Sequence, residues 1–226
     1  MELEKVTKDA KRRYDDACGA ALGMEYVGER WALLLIRELL LGPRRFGELR
    51  AGLPGISANV LTQRLAGLEA AGIVERLRLP PPANAQVYAL TRWGYEAEPV
   101  VLALAKWALR SPTHDPTLPF SAVSLMLSLK MLLLPERAGD WRAIVGFRLG
   151  DDPYTATLAA GALSLARGVA VDAAATLSAR PSAFLPVVFG AKPLSVAVDE
   201  GAIALEGNRA IAERFTTLFR LPPKVE

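Results

Sequence analysis

Chain breakers cut residues 43–91 into pieces too short to fold alone, and the order of those pieces leaves few arrangements open. An apolar run over 31–41 stops at Gly42, and Pro43 behind it suits the opening of a new helix. Residues 44–51 then predict about two helical turns. Gly52, Pro54 and Gly55 interrupt the chain. Ser57 offers a hydroxyl to the orphan amides of a helix predicted over 58–71, which Gly72 closes. Two extended runs follow, 73–79 and 86–90, separated by a Pro-rich tip over 80–85, the pattern of a β-hairpin. The segment therefore reads as helix, turn, helix and two-stranded wing.

The second of these helices carries chemistry on its outer side. At 100° per residue Leu61, Leu65 and Leu68 share one stripe, while Asn59, Thr62, Gln63 and Ala66 share the opposite one. Amide side chains pair bidentately with adenine, and small neighbours let a helix seat deep in a major groove. Alone, such a helix reads first as an ordinary amphipathic helix with a solvated polar face. The wing behind it turns the reading toward double-stranded DNA, because Arg76 and Arg78 sit two apart on one strand and so share a face that can meet phosphates. Arg44, Arg45, Ser57 and Arg64 complete the expected contact set.

These pieces resemble the HxlR-type winged helix-turn-helix regulators of bacteria. The matching stretches are Tyr14 and Cys18 ahead of the first core helix, Gly28 and Trp31 opening the next, then GPRRFGEL, LPGIS, LTQRLAGLEAAGIVER and VYALTRWG. They run in order from Tyr14 to Trp107. Glu29-Arg30 departs from the Gly-Lys that many members carry before the Trp, a change that keeps one cation and lies outside the reading helix. The resemblance implies a DNA-binding regulator that dimerises through its terminal helices. It also implies an oxidant-sensing role for Cys18; the residue-level alternative is a buried thiol acting as a small apolar side chain.

Charge agrees with this placement. The net charge is +3, yet between residues 30 and 92 nine Arg face four carboxylates, while 111–226 balance to about zero. One Cys excludes an internal disulfide framework, and with a single His it argues against any transition-metal site. No cofactor is expected. The opening MELEKVTKDAKRR is charged and lacks the apolar core of a signal peptide, and the longest apolar run, 125–134, is interrupted by Lys130 and too short to span a bilayer. A cytoplasmic protein without membrane contact is expected.

A helix predicted over 92–109 carries Val100, Val101, Leu104, Ala105, Trp107 and Ala108, an apolar surface too wide for one small domain to cover. It either packs against a second copy or docks on the rest of the chain. Next comes SPTHDPTLP, with three Pro and the only His, His114, which marks a linker over 111–119 between domains at 1–110 and 120–226. At this length each domain is expected to have its own core.

Residues 120–226 predict an α+β fold with a mainly antiparallel sheet: a helix near 120–134, strands at 142–149, 154–159, 162–167 and 171–177, a helix at 181–189, a hairpin at 194–198 and 202–205, and a last helix capped by Asn208. The run AFLPVVFGAKPLSVAVDEGAIALEGNRAIAERFTTLF is similar to the end of sterol carrier protein-like domains. That likeness implies an apolar tunnel for a lipid-like ligand, lined here by Leu125, Leu129, Trp141, Phe147, Phe184, Val188, Phe215 and Phe219. The same aromatic residues could equally fill a closed core.

Catalysis finds no support in the chain. His114 sits in a linker, Asp151-Asp152 and Asp199-Glu200 read as turn residues, and no Gly-rich phosphate loop is present. The reading is a dimeric DNA-binding regulator with an apolar small-molecule sensing domain. Its rival is a lipid carrier that keeps the winged helix only for dimerisation or protein docking.

Overall fold

The computed structural model describes residues 14–225, so the charged N-terminal run lies wholly outside the described residues. Helix α1 (Gly19–Val27) leads into α2 (Ala32–Leu39), α3 (Phe46–Gly52) and α4 (Ala58–Ala70), followed by the antiparallel pair β1 (Val74–Arg78) and β2 (Gln86–Leu90). Ser57 caps α4 as expected, its hydroxyl accepting from the Val60 amide at 3.3 Å. The stripe of Leu61, Leu65 and Leu68 is buried together with Leu35, Ile36 and Leu39 of α2. Arg44 adds a third, single-residue rung to the wing by exchanging backbone hydrogen bonds of 2.9 and 2.8 Å with Tyr88.

The single helix expected over 92–109 is broken into α5 (Arg92–Tyr95) and α6 (Glu98–Ala108). Pro99 stands in the first turn of α6, where it lacks a donor for the preceding turn. Gly94 lets α5 press onto the base of the wing: a Cβ there would lie 2.2 Å from the Ile73 carbonyl oxygen.

After the loop at 109–121 come α7 (Ala122–Leu132), α8 (Pro135–Ala138), β3 (Ala143–Leu149), β4 (Asp152–Ala159), β5 (Ala162–Arg167) and β6 (Ala175–Ala179). The chain continues through α9 (Pro181–Val188), α10 (Leu194–Asp199), β7 (Ala204–Gly207) and α11 (Arg209–Thr216). Five strands form one sheet in the order β5-β4-β3-β6-β7, antiparallel throughout except for the parallel pair β3 and β6. The mainly antiparallel α+β arrangement is thus observed.

Two local expectations are corrected. Residues 171–174 do not extend the strand at 175, since Asp172 adopts a φ of 57° and Val171 is exposed. Residues 194–198 are helical, because burial falls on Leu194 and Ala197, three apart, instead of on every second residue. The partner of β7 is β6, paired from Ala175–Gly207 to Ser178–Ala204.

Helix α7 organises the molecule. Val123, Leu125, Met126, Leu127, Leu129 and Leu132 are all buried, so the helix has no solvent face of its own. It packs against α2 and α6 on one side and β5 on the other. The two separate cores expected from length are therefore one contiguous cluster, running from Ala32 through Leu129 to Phe219. Such a joint core predicts a single unfolding transition by near-ultraviolet circular dichroism in urea. Leu129→Ala, in the shared layer, is expected to cost about 2–5 kcal/mol and to shift that one transition without splitting it.

Candidate nucleic-acid interface

Asn59 and Gln63 lie four residues apart on α4, both exposed, and neither amide makes a hydrogen bond among the described residues. Thr62 between them is exposed but turns its hydroxyl back to the Ala58 carbonyl at 2.9 Å. Arg64 anchors the helix: it pairs with Glu29 at 2.7 Å and donates to the Arg30 carbonyl at 3.1 Å. On the wing, Arg76 pairs with Glu69 at 2.8 Å and lies over the Tyr88 ring at 5.6 Å, while Arg78 donates to Asn84 at 3.0 Å. Both guanidinium groups are thereby oriented along the exposed face of β1. Arg45 and Ser57 are exposed at the starts of α3 and α4. The structure thus gathers Ser57, Asn59, Thr62 and Gln63 on one helix, with Arg76 and Arg78 on the adjoining wing.

Arg44 is a correction. Its side chain is only 8% exposed and points away from this surface, pairing with Asp152 at 2.9 Å and donating to the Tyr154 hydroxyl at 2.9 Å. Tyr154 is fully buried, with Arg167 stacked over its ring at 5.5 Å. Burial pushes its phenol up from 10.0 to about 12, against the pull of Arg167 and Arg44. Because the Arg44 backbone pairs with Tyr88, one residue ties the wing to the five-stranded sheet. No sequence pattern announces this link, since its partners lie 110 residues apart. Glu38 makes a second hidden tie: 1% exposed, it accepts from Arg37 at 2.8 Å and from the Ser121 hydroxyl at 2.7 Å. Lys130 of α7 and Glu98 of α6 form a third, at 2.6 Å.

Of the two readings open for the aromatic set, tunnel lining and closed core, the side chains pack as core. Leu125, Leu129, Phe147, Phe184, Val188, Phe215 and Phe219 are buried core. Phe147 lies 5.6 Å from Phe184 and 5.9 Å from Phe215, and Phe215 lies 5.2 Å from Phe219. Rings at these spacings are in contact, so these four side chains pack against one another. Trp141 is half-buried with Arg214 stacked on it at 4.3 Å. Val188 and Phe219 alone of this set border a cavity, of about 480 Å³, beside Lys192. Larger cavities of about 810 and 720 Å³ lie instead along α6, α7 and the linker.

Cys18 is exposed at the start of α1, not buried. The amides of Ala20 and Ala21 lower its thiol pKa by hydrogen bonding to the thiolate. No group of three or more His, Cys, Asp or Glu side chains suited to a metal occurs among the described residues, and no helix among them is long and apolar enough to cross a membrane.

Arg44→Ala is expected to cost about 1.5–3 kcal/mol of stability, since it leaves Tyr154 and Asp152 short of a charged partner. A urea titration measures it. The phenol of Tyr154 gives a pH signature. Its folded pKa lies above its unfolded one, so the contribution is complete below pH 10 and lost as pH rises from about 10 to about 12. Over that window the stability difference between the parent and Tyr154→Phe should shrink by about 2–3 kcal/mol; a difference constant with pH would contradict the assignment.

Residues 26–115 match the family described as HxlR-like helix-turn-helix, and residues 127–220 match the SCP-2 sterol transfer family. The uncharacterized HTH-type transcriptional regulator YvaP of Bacillus subtilis is 36% identical over 85 residues, which are 38% of this chain and 79% of that protein. The HTH-type transcriptional regulator YodB of the same organism is 39% identical over 82 residues, 36% of this chain and 73% of its own length. The solved reduced form of YodB, 33% identical, covers 44% of this chain and 100% of that chain at a TM-score of 0.39. Each of these relatives spans less than half of the chain, and the proteins they name are transcriptional regulators, not enzymes. With its capped second helix and its wing in place, the chain belongs to the HxlR-like helix-turn-helix family.

Proposed function

We propose that this chain is a homodimeric, cytoplasmic, non-enzymatic regulator that reads duplex DNA with α4 and holds the backbone with β1 and β2. One observation carries the reading: Asn59 and Gln63 present unpaired amides side by side on an exposed helix face, flanked by Arg76 and Arg78. Amides in that position discriminate bases, whereas guanidinium groups on the wing bind phosphates of any sequence. Arg45, Ser57, Thr62 and Arg64 stand around the reading pair, with Arg64 holding α4 in place. Residues 1–110 form the DNA-binding and dimerisation part, 111–119 the connection, and 120–226 the sensing part.

The second copy belongs on α6. Val100, Leu104 and Trp107 are 55%, 46% and 72% exposed and fall on one stripe, while Val101 of the same helix is buried inward. Both alternatives for this helix thus have their own face. A two-fold pair suits half-sites about 34–36 Å apart. The apolar ligand acts through the joint between the halves, where Arg44 couples sheet to wing.

Replacing Asn59 or Gln63 by Ala is expected to cost roughly 1–3 kcal/mol at the operator and to relax specificity there. Arg76→Ala and Arg78→Ala should weaken all duplexes alike and reduce the salt slope by about one unit. Fluorescence anisotropy titrations at several salt concentrations separate the two classes. A carrier that used the winged helix only for docking would show no salt-dependent duplex affinity at all.

For Cys18, exposure and a lowered thiol pKa support an oxidant-responsive role. Mild peroxide should yield a denaturant-resistant dimer that thiol reverses and that Cys18→Ser does not form. If oxidation leaves DNA binding unchanged, Cys18 is no sensor.

A further inference from the structure

Two cavities share part of their lining. One, of about 810 Å³, lies between α6 and α7, with Val101, Ala105 and Trp107 on one wall and Leu127, Ser128 and Met131 on the other. The second, of about 720 Å³, runs under the linker to Leu185 and Phe189 of the α9 region. Leu109, His114, Phe120 and Ser128 border both, so they form one apolar trough beneath the linker. Each part has the size of a small-molecule site.

Its charge is one-sided. Arg37 and Arg110 border the first cavity, and no carboxylate does among the described residues. Arg37 gives Nε and Nη2 to Glu38, while its Nη1 makes no hydrogen bond among the described residues. The single carboxylate of the second cavity, Asp115, is occupied by the Thr117 amide and hydroxyl at 2.9 and 2.6 Å. A molecule matching this lining is long and aliphatic, with one anionic end.

We propose that the trough binds a long-chain aliphatic monocarboxylate, its head toward Arg37 and Arg110 and its chain passing Phe120 toward Phe189. The site lies outside the aromatic core of the sterol carrier-like half, which is filled. It names the ligand and place for the sensing part of the function proposed above and rests on that reading for its biological use. Its walls come from both halves, α6 on one side and α7 with the α9 region on the other. Occupancy therefore bears directly on how α6 sits against α7, and through α6 on the spacing of two α4 helices in a dimer.

The test uses the full-length protein at fixed concentration, titrated with octanoate, decanoate and dodecanoate below their micelle concentrations and read by tryptophan emission. Trp107 borders the first cavity, so binding should change its emission, and Trp107→Phe should remove that change. Affinity should rise by about three- to fourfold per added methylene. Ser128→Phe on α7 and Ala105→Leu on α6 fill the trough from opposite walls and should each abolish binding, with unchanged circular dichroism proving the fold. Arg110→Gln should weaken dodecanoate several-fold and leave dodecanol unaffected. Absence of a saturable change overturns the site and is the result expected if a second copy already fills the trough. Binding that survives both filling variants overturns it too, and equal affinity for dodecanol and dodecanoate overturns the anionic head. Operator binding is measured separately: dodecanoate that binds yet leaves DNA affinity unchanged upholds the site and sinks the sensing role.

Discussion

A helix with apolar side chains buried round most of its circumference cannot stand at the surface, and α7 is such a helix. Water must be excluded from most of its circumference, so a wall is needed on each side: α2 and α6 provide one, and β5 with its sheet the other. The two halves of the chain are thereby pressed together over a shared layer instead of hanging on a linker. Each half would expose a broad apolar surface without the other, a cost of about 25 cal/mol for every Å² left in water. Large hydrophobic contacts between parts of a chain suppress free relative motion, so rearrangements of the reading surface must pass through this layer.

Polar ties at the rim of that layer give it direction. Hydrophobic contact is tolerant of sliding, whereas the pair of Arg44 with Asp152 and the hydrogen bonds of Glu38 with Arg37 and Ser121 fix register. Arg44 matters most because its two ends belong to different structures: its backbone completes the wing and its guanidinium enters the far sheet. A basic residue beside a helix-turn-helix is easily taken for a phosphate contact. Here a neighbouring Arg45 stays in solvent while Arg44 is withdrawn, and chain direction at the Pro43 turn decides between them.

The local half of the architecture was legible because its signals are local. Gly, Pro and Ser punctuation marked α3, α4 and both wing strands to within about two residues, and the 3.6-residue period assigned the faces of α4. Asn208, one residue ahead of α11, worked in the same way. What escaped depends on distant partners. Residues 194–198 alternate in hydropathy yet fold as α10, since the burial of Leu194 and Ala197 is decided by packing and not by pattern. The aromatic set was correctly seen as inward, but whether inward rings enclose a tunnel or touch one another is a matter of a few ångströms that no spacing encodes. Arg44 and Glu38 were opaque for the same reason, their partners being 110 and 83 residues away.

The amides of Leu109, Arg110 and Ser111 meet the last carbonyls of α6 at Ala105, Trp107 and Ala108, and the turn just beyond the helix presents carbonyls of its own. They are met from far down the chain: Lys224 donates to the carbonyls of Leu109 and Ser111 at 3.1 and 2.8 Å, and the Val225 amide donates to that of Arg110 at 2.8 Å. An ammonium in that position also complements the negative end of the helix dipole. On the ribosome this means that α6 emerges 115 residues before the group that finishes it. The winged helix can condense early from neighbouring pieces, but the turn after α6 is fastened only once translation has delivered Lys224 and Val225, so the joint is sealed in a late step of folding.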